Sequence, residues 1–340
     1  MKIIPTIPPY APFIGKLFGH PLISGVRLNT VMPVKEPLEE LLKRLKAISN
    51  GKDVWIDLKC RQIRTSHGFF FKEPDKVRMY NIGGKKYVLD PSNPRAYGVL
   101  RTPPWAQIKI DRKIKLDLSK GPVKCWLQDG YDSAYIAEVI DGDTLIMLDG
   151  PQRVVGGGES INILDPSLEI EGYFTDLDLR YIEAARKNDI HTFMLSYVEN
   201  DSDIDGLLKL DEKAKGVAKI ESKKGLEWVE KSYRKYRSSV RLMAARGDLY
   251  VEVGIARPDK ILNPLKLIAK SDPTAILASR ILTSLRNNPR PTCSDITDIA
   301  CMLEMGYEHF MIGDDICFNE GSLFLALDIL TAISSKYSRR

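Results

Sequence analysis

Val217-Ala218-Lys219-Ile220-Glu221-Ser222 is a short apolar run that ends in a lysine and a carboxylate. Trp55-Ile56-Asp57-Leu58-Lys59 likewise ends in a carboxylate and a lysine, and Ala244-Ala245-Arg246-Gly247-Asp248-Leu249 carries an arginine and a carboxylate. Apolar runs of this length and composition read as buried strands. Residues two apart share one face of a strand, so Lys219 and Glu221 point the same way. Charges are costly in a core. Their recurrence where strands end points to a (β/α)8 barrel, whose catalytic groups sit at that edge.

Outward from these runs the alternation continues. Strands are predicted over 2–7, 25–30, 54–59, 191–198, 216–221, 240–244, 273–279 and 309–313. Helix-period segments follow most of them, over 36–48, 176–187, 202–213, 224–236, 258–269, 294–305 and 319–335. Thr175 with Asp178, and Ser294 with Thr297 and Asp298, read as helix N-terminal caps. The segment 66–155 breaks the pattern with short alternating runs such as those at 77–80, 85–89, 134–139 and 144–148. It reads as a small β-rich domain inserted after strand three, leaving a TIM barrel over 1–65 and 156–340. Removing about 90 residues leaves about 250, the usual size of that barrel. Gly156-Gly157-Gly158 reads as the hinge back from the insertion.

The 340 residues are 44% hydrophobic and 28% charged, with a net charge of +5, the profile of an ordinary globular protein with a large core. Basic residues are dispersed, which argues against a nucleic-acid partner and suits a small anionic substrate. The five cysteines and four histidines show no zinc-ligand spacing. Reduced thiols, no apolar leader and no membrane-length stretch lead to the expectation of a cytoplasmic protein.

Along the C-terminal rim, strand two offers Arg27 and Asn29, and strand three offers Asp57, Lys59 and then Arg64. Strand five offers Lys219 and Glu221, and strand six Arg246, Gly247 and Asp248. Strand seven ends at Ser279 and Arg280, strand eight at Asp314 and Asp315. Glu221 and Asp248 lie on neighbouring strands and are candidates to share a divalent ion, since Mg2+ takes one or two carboxylates with substrate oxygens and water. The N–H groups of Gly247 and Asp248 suit a carboxylate or phosphate. Cys60 has no neighbouring His and reads as a small residue rather than a nucleophile.

These motifs resemble the pyruvate kinase family. Lys2 to Pro9 is similar to its KIICTIGP opening, and Arg27-Leu28-Asn29 to its RLNFSHG run. Asp57 to Arg64 is similar to DTKGPEIR, the segment from Lys219 to its KIE segment, and Met243 to Leu249 to MVARGDL. Residues 277–285 resemble ATQMLESM, and 291–300 resemble PTRAEVSDVAN. The resemblance implies that Lys219, Arg27 and Ser279 are catalytic, and that Arg27, Lys59, Gly247, Asp248 and Ser279 bind a phosphoenolpyruvate-like or pyruvate-like substrate. It implies that Asn29, Arg64 and Pro9 contact ADP or ATP, and that Glu221 and Asp248 hold Mg2+ or Mn2+. A homo-oligomer through the barrel is a further implication.

The departures from the pattern also carry expectations. Val31 stands where the family has a serine that helps to hold K+. A valine cannot coordinate, so the monovalent-cation site is expected to be lost, and Gln62 in place of a glutamate agrees. Cys60-Arg61-Gln62 replaces Gly-Pro-Glu, Tyr250 replaces a glycine, and Gly313-Asp314-Asp315-Ile316 replaces the SGET run. The sequence ends at Arg340, before the family's C-terminal regulatory domain, so that domain is expected to be absent. Three functions fit: a phosphotransferase of the pyruvate kinase type, a metal-dependent lyase or aldolase acting on pyruvate-like enolates, or a non-catalytic metabolite-binding relative.

Overall fold

The eight apolar runs form eight parallel strands: β1 Lys2–Pro5, β2 Gly25–Asn29, β3 Asp53–Leu58, β4 Thr192–Leu195, β5 Lys215–Ile220, β6 Val240–Ala245, β7 Ile276–Ala278 and β8 His309–Ile312. Hydrogen bonding orders them β2-β3-β4-β5-β6-β7-β8-β1. Isolated parallel bridges, Ile3 with Ile23 and Thr6 with Arg27, bring β1 back to β2 and close the TIM barrel. These come from a computed structural model that describes residues 1–66, 78–82, 84–89, 105–153 and 155–337. Val77, at the edge of one run read as a strand, lies outside the described residues.

Period-two alternation decides what faces the barrel axis. Ile4, Trp55, Met194, Val217, Met243, Ala245, Ile276, Ala278 and Met311 form one buried cluster. The residues two further along β3 and β5 are Asp57 and Lys219, so the apolar interior ends where the charges begin. Arg27 pairs in register with Trp55, and Asn29 with Asp57. Gly25 opens β2 because a Cβ there would lie 2.7 Å from the carbonyl oxygen of Asp53 and 3.1 Å from Nε1 of Trp55. The backbone carbonyl of the neighbouring strand, with the indole close behind it, therefore requires glycine at this position.

Ten helices lie among the described residues of the barrel unit: α1 Ile14–Gly19, α2 Leu38–Ile48, α3 Asp176–Lys187, α4 Asp201–Leu210, α5 Lys223–Lys231, α6 Arg246–Leu249, α7 Leu262–Ser271, α8 Cys293–Glu304, α9 Asp314–Cys317 and α10 Glu320–Tyr337. The longer ones bury an apolar stripe, as α2 does with Leu41, Leu42 and Leu45. None is long and apolar enough to cross a membrane. Thr175 and Asp178 form the cap expected for α3. At α8 the cap is Thr292 with Asp295, not Ser294, so the helix starts one residue earlier than read. The helix read over 224–236 ends at Lys231, and a separate 3-10 turn, Tyr233–Tyr236, follows it.

The chain divides into two compact units, 1–60 with 174–340 and 61–173. The second is longer than the segment 66–155 because Ile161–Ile163 pairs with Val123–Leu127, and Glu169–Ile170 with Ile114–Lys115. Gly156-Gly157-Gly158 therefore lies inside this unit rather than at its border. Its main sheet is antiparallel, in the order Ile161–Ile163, Val123–Leu127, Asp132–Ile140, Thr144–Leu148, Trp105–Lys109. Ile108, Cys125, Leu127, Ile136, Leu145 and Met147 are among the residues that fill its core.

Candidate active site

Lys219 is only 7% exposed, and its ammonium is held from three sides. Nζ donates to Oγ of Ser196 at 2.8 Å and lies 3.2 Å from Oε1 of Glu221 and 3.4 Å from Oδ1 of Asp57. Burial opposes its charge, but Asp57 and Glu221 prevail and raise its affinity for the proton above the usual lysine value. Lys219 is thus a fixed cation at the top of the apolar interior.

Glu221 receives the backbone N–H of Tyr197 at 2.7 Å on Oε2. Its pKa is nevertheless raised to about 7, first by burial and then by Asp248, against the pull of Lys219. Asp248 sits in α6, directly after β6, and is 8% exposed. The two carboxylates of neighbouring strands therefore crowd each other in a site from which water is largely excluded. Tyr197 lies beside both, and burial followed by Asp248, Glu252 and Glu221 raises its hydroxyl pKa well above normal. Its backbone is left-handed, with φ +50°.

Arg27 forms the second centre. Nε and Nη2 point at Oδ2 of Asp57, at 2.7 and 2.6 Å. Nη1 donates to Oγ1 of Thr6 at 2.8 Å and to Oδ1 of Asp314 at 3.0 Å. Asn29 donates from Nδ2 to the other oxygen of Asp314 at 3.0 Å. Its own Oδ1 accepts the N–H of Val31 at 3.3 Å. Asp57 thus joins the Arg27 group to the Lys219 group.

Two further clamps shape the rim. Asp178, fully buried in the first turn of α3, accepts the backbone N–H groups of Lys59 and Cys60 at 2.8 and 3.0 Å. It thereby holds the left-handed Cys60, φ +48°, after β3. Arg246 was read as a rim group for ligand. Its guanidinium instead grips Asp298 of α8 at 2.7 and 3.0 Å and the carbonyl oxygens of Ser279 and Arg280. Ser279 and Arg280 both have positive φ, +68° and +58°. Eleven described residues other than glycine have positive φ; six of those are neither Asn nor Asp, and five of the six (Cys60, Tyr197, Ser279, Arg280 and Leu282) follow barrel strands at this rim. Strained backbone concentrates where a scaffold holds a functional geometry.

The structure brings Arg27, Asn29, Asp57, Lys219, Glu221, Gly247, Asp248 and Ser279 to the strand ends of one barrel, with Lys59 buried beside them. Pro9 is buried after β1, and its carbonyl accepts from Nη2 of Arg44 at 3.0 Å. Arg64 belongs to the second unit, where Nε donates to Gln62 at 2.9 Å and Nη1 to the carbonyl of Gly158 at 2.6 Å. Sequence reasoning missed Ser196, Tyr197 and Thr6. The first two directly follow β4, and the hydroxyl of Ser196 just past an apolar strand was the available signal.

Four carboxylates, Asp57, Glu221, Asp248 and Asp314, stand against three cations, Arg27, Lys59 and Lys219. This excess of negative charge, with a crowded Glu221, suits a divalent cation. No group of three or more His, Cys, Asp or Glu side chains among the described residues forms a complete metal cage. Glu221 and Asp248 fit the usual Mg2+ arrangement of two carboxylates completed by substrate and water.

A family model described as pyruvate kinase, barrel domain, matches residues 43–316. A pyruvate kinase of Methanocaldococcus jannaschii is 34% identical over 170 residues, which cover 47% of this chain and 37% of that protein. A pyruvate kinase of Borreliella burgdorferi is 24% identical over 326 residues, 93% of this chain and 63% of the relative. One of Thermoplasma acidophilum is 26% identical over 321 residues, covering 92% and 54%. The chain spans less than two thirds of the length of each. With the family model covering residues 43–316, most of the chain, this chain belongs to the pyruvate kinase family.

Proposed function

We propose that this protein catalyses Mg2+-dependent phosphoryl transfer between phosphoenolpyruvate, or a related enol acid phosphate, and ADP or ATP. The observation that carries the reading is the buried Lys219 ammonium, fixed among Asp57, Glu221 and Ser196 beside Asp248. Phosphoryl transfer and enolate formation need charge neutralisation and alignment more than covalent help. Lys219 supplies a preorganised cation that does not have to reorient as negative charge builds on a transferring phosphoryl group or an enolate oxygen. Its three contacts fix its position, and burial lowers the local dielectric that would weaken it.

Glu221 and Asp248 would hold Mg2+ or Mn2+, which when bound neutralises phosphoryl oxygens and aligns them. The backbone N–H groups of Gly247 and Asp248 and the hydroxyl of Ser279 would hold the substrate carboxylate. Arg246 serves this arrangement indirectly by clamping the Ser279 turn. Asn29, Arg64 and Pro9 remain the proposed nucleotide contacts, and Arg27 and Lys59 the proposed phosphate contacts.

The test is a thermal-shift panel of phosphoenolpyruvate, pyruvate, oxalate, ADP and ATP, each with and without Mg2+, followed by an assay of pyruvate formation. Ligands stabilise by RT ln(1 + [L]/Kd), so weak binders separate at millimolar concentration. Metal-dependent stabilisation by phosphoenolpyruvate and by ADP, with pyruvate formed only when both are present, is the expected result. Stabilisation by pyruvate or oxalate and metal with no response to nucleotide would replace it with the lyase or aldolase reading. One observation favours that second reading: Arg27 already faces two carboxylates, Asp57 and Asp314.

A further inference from the structure

Asp314 opens the four-residue helix α9 immediately after β8, and its carboxylate spans two groups of β2. One oxygen takes Nη1 of Arg27 and the other takes Nδ2 of Asn29, each at 3.0 Å. The N–H of Val31 can only donate, so the Asn29 carbonyl must face it and the Asn29 amino group must face Asp314. Arg27 and Asn29 thus present donors to a single oxyanion, and Asp314 is that oxyanion.

A guanidinium has five N–H groups. Two of Arg27's point at Asp57, and the two on Nη1 point at Thr6 and Asp314. The Asp57 side chain is 4% exposed and Thr6 is fully buried, whereas the Asp314 side chain is 38% exposed. Asp314 is therefore the displaceable partner. It holds the edge of Arg27 that an anion arriving from solvent would reach first.

We propose that Asp314 is an intramolecular occupant of an anion seat made by Arg27 and Asn29, and that a phosphorylated ligand binds there by displacing it. Asp314 then sets the affinity of the site. It satisfies the buried Arg27 when no ligand is bound, and it weakens every ligand that needs the seat. This rests on the proposed function in one respect: the rim is taken to receive an anionic substrate. The neighbouring Asp315 provides an internal control, because it pairs with Arg286 at 3.1 Å and both are well exposed. Neutralising it changes the net charge equally without touching the seat.

The experiment is calorimetric titration of inorganic phosphate and of phosphoenolpyruvate, with Mn2+ present, into wild type, Asp314→Asn, Asp314→Ala and Asp315→Asn. Both Asp314 variants are expected to bind both ligands more tightly, by roughly two- to fivefold, the effect of removing one partly exposed charged competitor. Asp315→Asn is expected to bind as wild type does. If wild type binds phosphoenolpyruvate and the Asp314 variants bind no more tightly, or Asp315→Asn tightens equally, the occupant role is overturned and the proposed function stands. If no protein in the set binds either ligand, the seat is overturned together with the proposed function.

Discussion

Lys219 and Tyr197 show how differently two residues of one site can be read. Lys219 and Glu221 were legible because a strand alternates, and a lysine and a glutamate two apart at the end of an apolar run must share a face. Tyr197 was not legible, because a tyrosine after an apolar strand reads equally well as core. Only the fold reveals that its N–H binds Glu221 and that its hydroxyl lies beside Asp248. Replacing Lys219 by Met should lower kcat by on the order of 10²–10³ and raise KM far less, because the charge it stabilises grows toward the transition state. Wild-type turnover in that variant would remove Lys219 from the chemistry. Tyr197→Phe keeps the backbone N–H and removes the hydroxyl, so Mn2+ affinity should fall severalfold with little change in Tm; unchanged affinity in titration would confine Tyr197 to packing. At Val31, the expected loss of the monovalent-cation ligand predicts equal turnover in Na+, K+ and tetramethylammonium salts at fixed ionic strength. A severalfold rise in K+ alone would contradict it.

Among the elements, strand order and the positions of all eight strands followed from the alternation of apolar runs with helix-period segments. Their ends did not. The cap of α8 was misplaced because Ser294 and Thr292 offer the same hydroxyl chemistry two residues apart; only backbone geometry distinguishes them. The border of the second unit was misplaced because its last strands, Ile161–Ile163 and Glu169–Ile170, are too short to stand out. Asp178 was read as a cap and is more than that. Its carboxylate accepts from the Thr175 backbone and hydroxyl and from the N–H groups of Lys59 and Cys60. Asp178→Ala should therefore cost more than an ordinary cap, about 2–4 kcal/mol, since two buried N–H groups lose their partner as well. Urea unfolding with an unchanged m-value would measure it. A loss below about 1 kcal/mol would show that the β3 turn is held by other contacts.

For the whole molecule, one charge pattern lies away from the rim. His309 begins β8, and its buried Nδ1 has no hydrogen-bond partner among the described residues. Burial, followed by Arg241, Lys2 and the N-terminal amine, lowers its pKa to about 4. The unfolded chain, with an ordinary histidine near 6.5, then binds more protons between those values. The contribution of His309 to stability is therefore full above about pH 6.5 and is lost as pH falls toward 4, by on the order of 1–3 kcal/mol. His309→Leu should flatten the decline of Tm between pH 7 and pH 5 relative to wild type; parallel curves would show that the imidazole is solvated. The barrel itself has one thin seam. Every other strand pair forms a ladder, while β1 meets β2 through isolated bridges, and the Ile7 N–H reaches the Arg27 carbonyl at 2.9 Å. Amide protons along that seam should exchange with solvent faster than those between β5 and β6, because less has to open to release them. Arg27 supplies both a backbone acceptor to the seam and a guanidinium to the site. An anion bound to its side chain should thus slow deuterium uptake at Ile7, on the far side of the same residue.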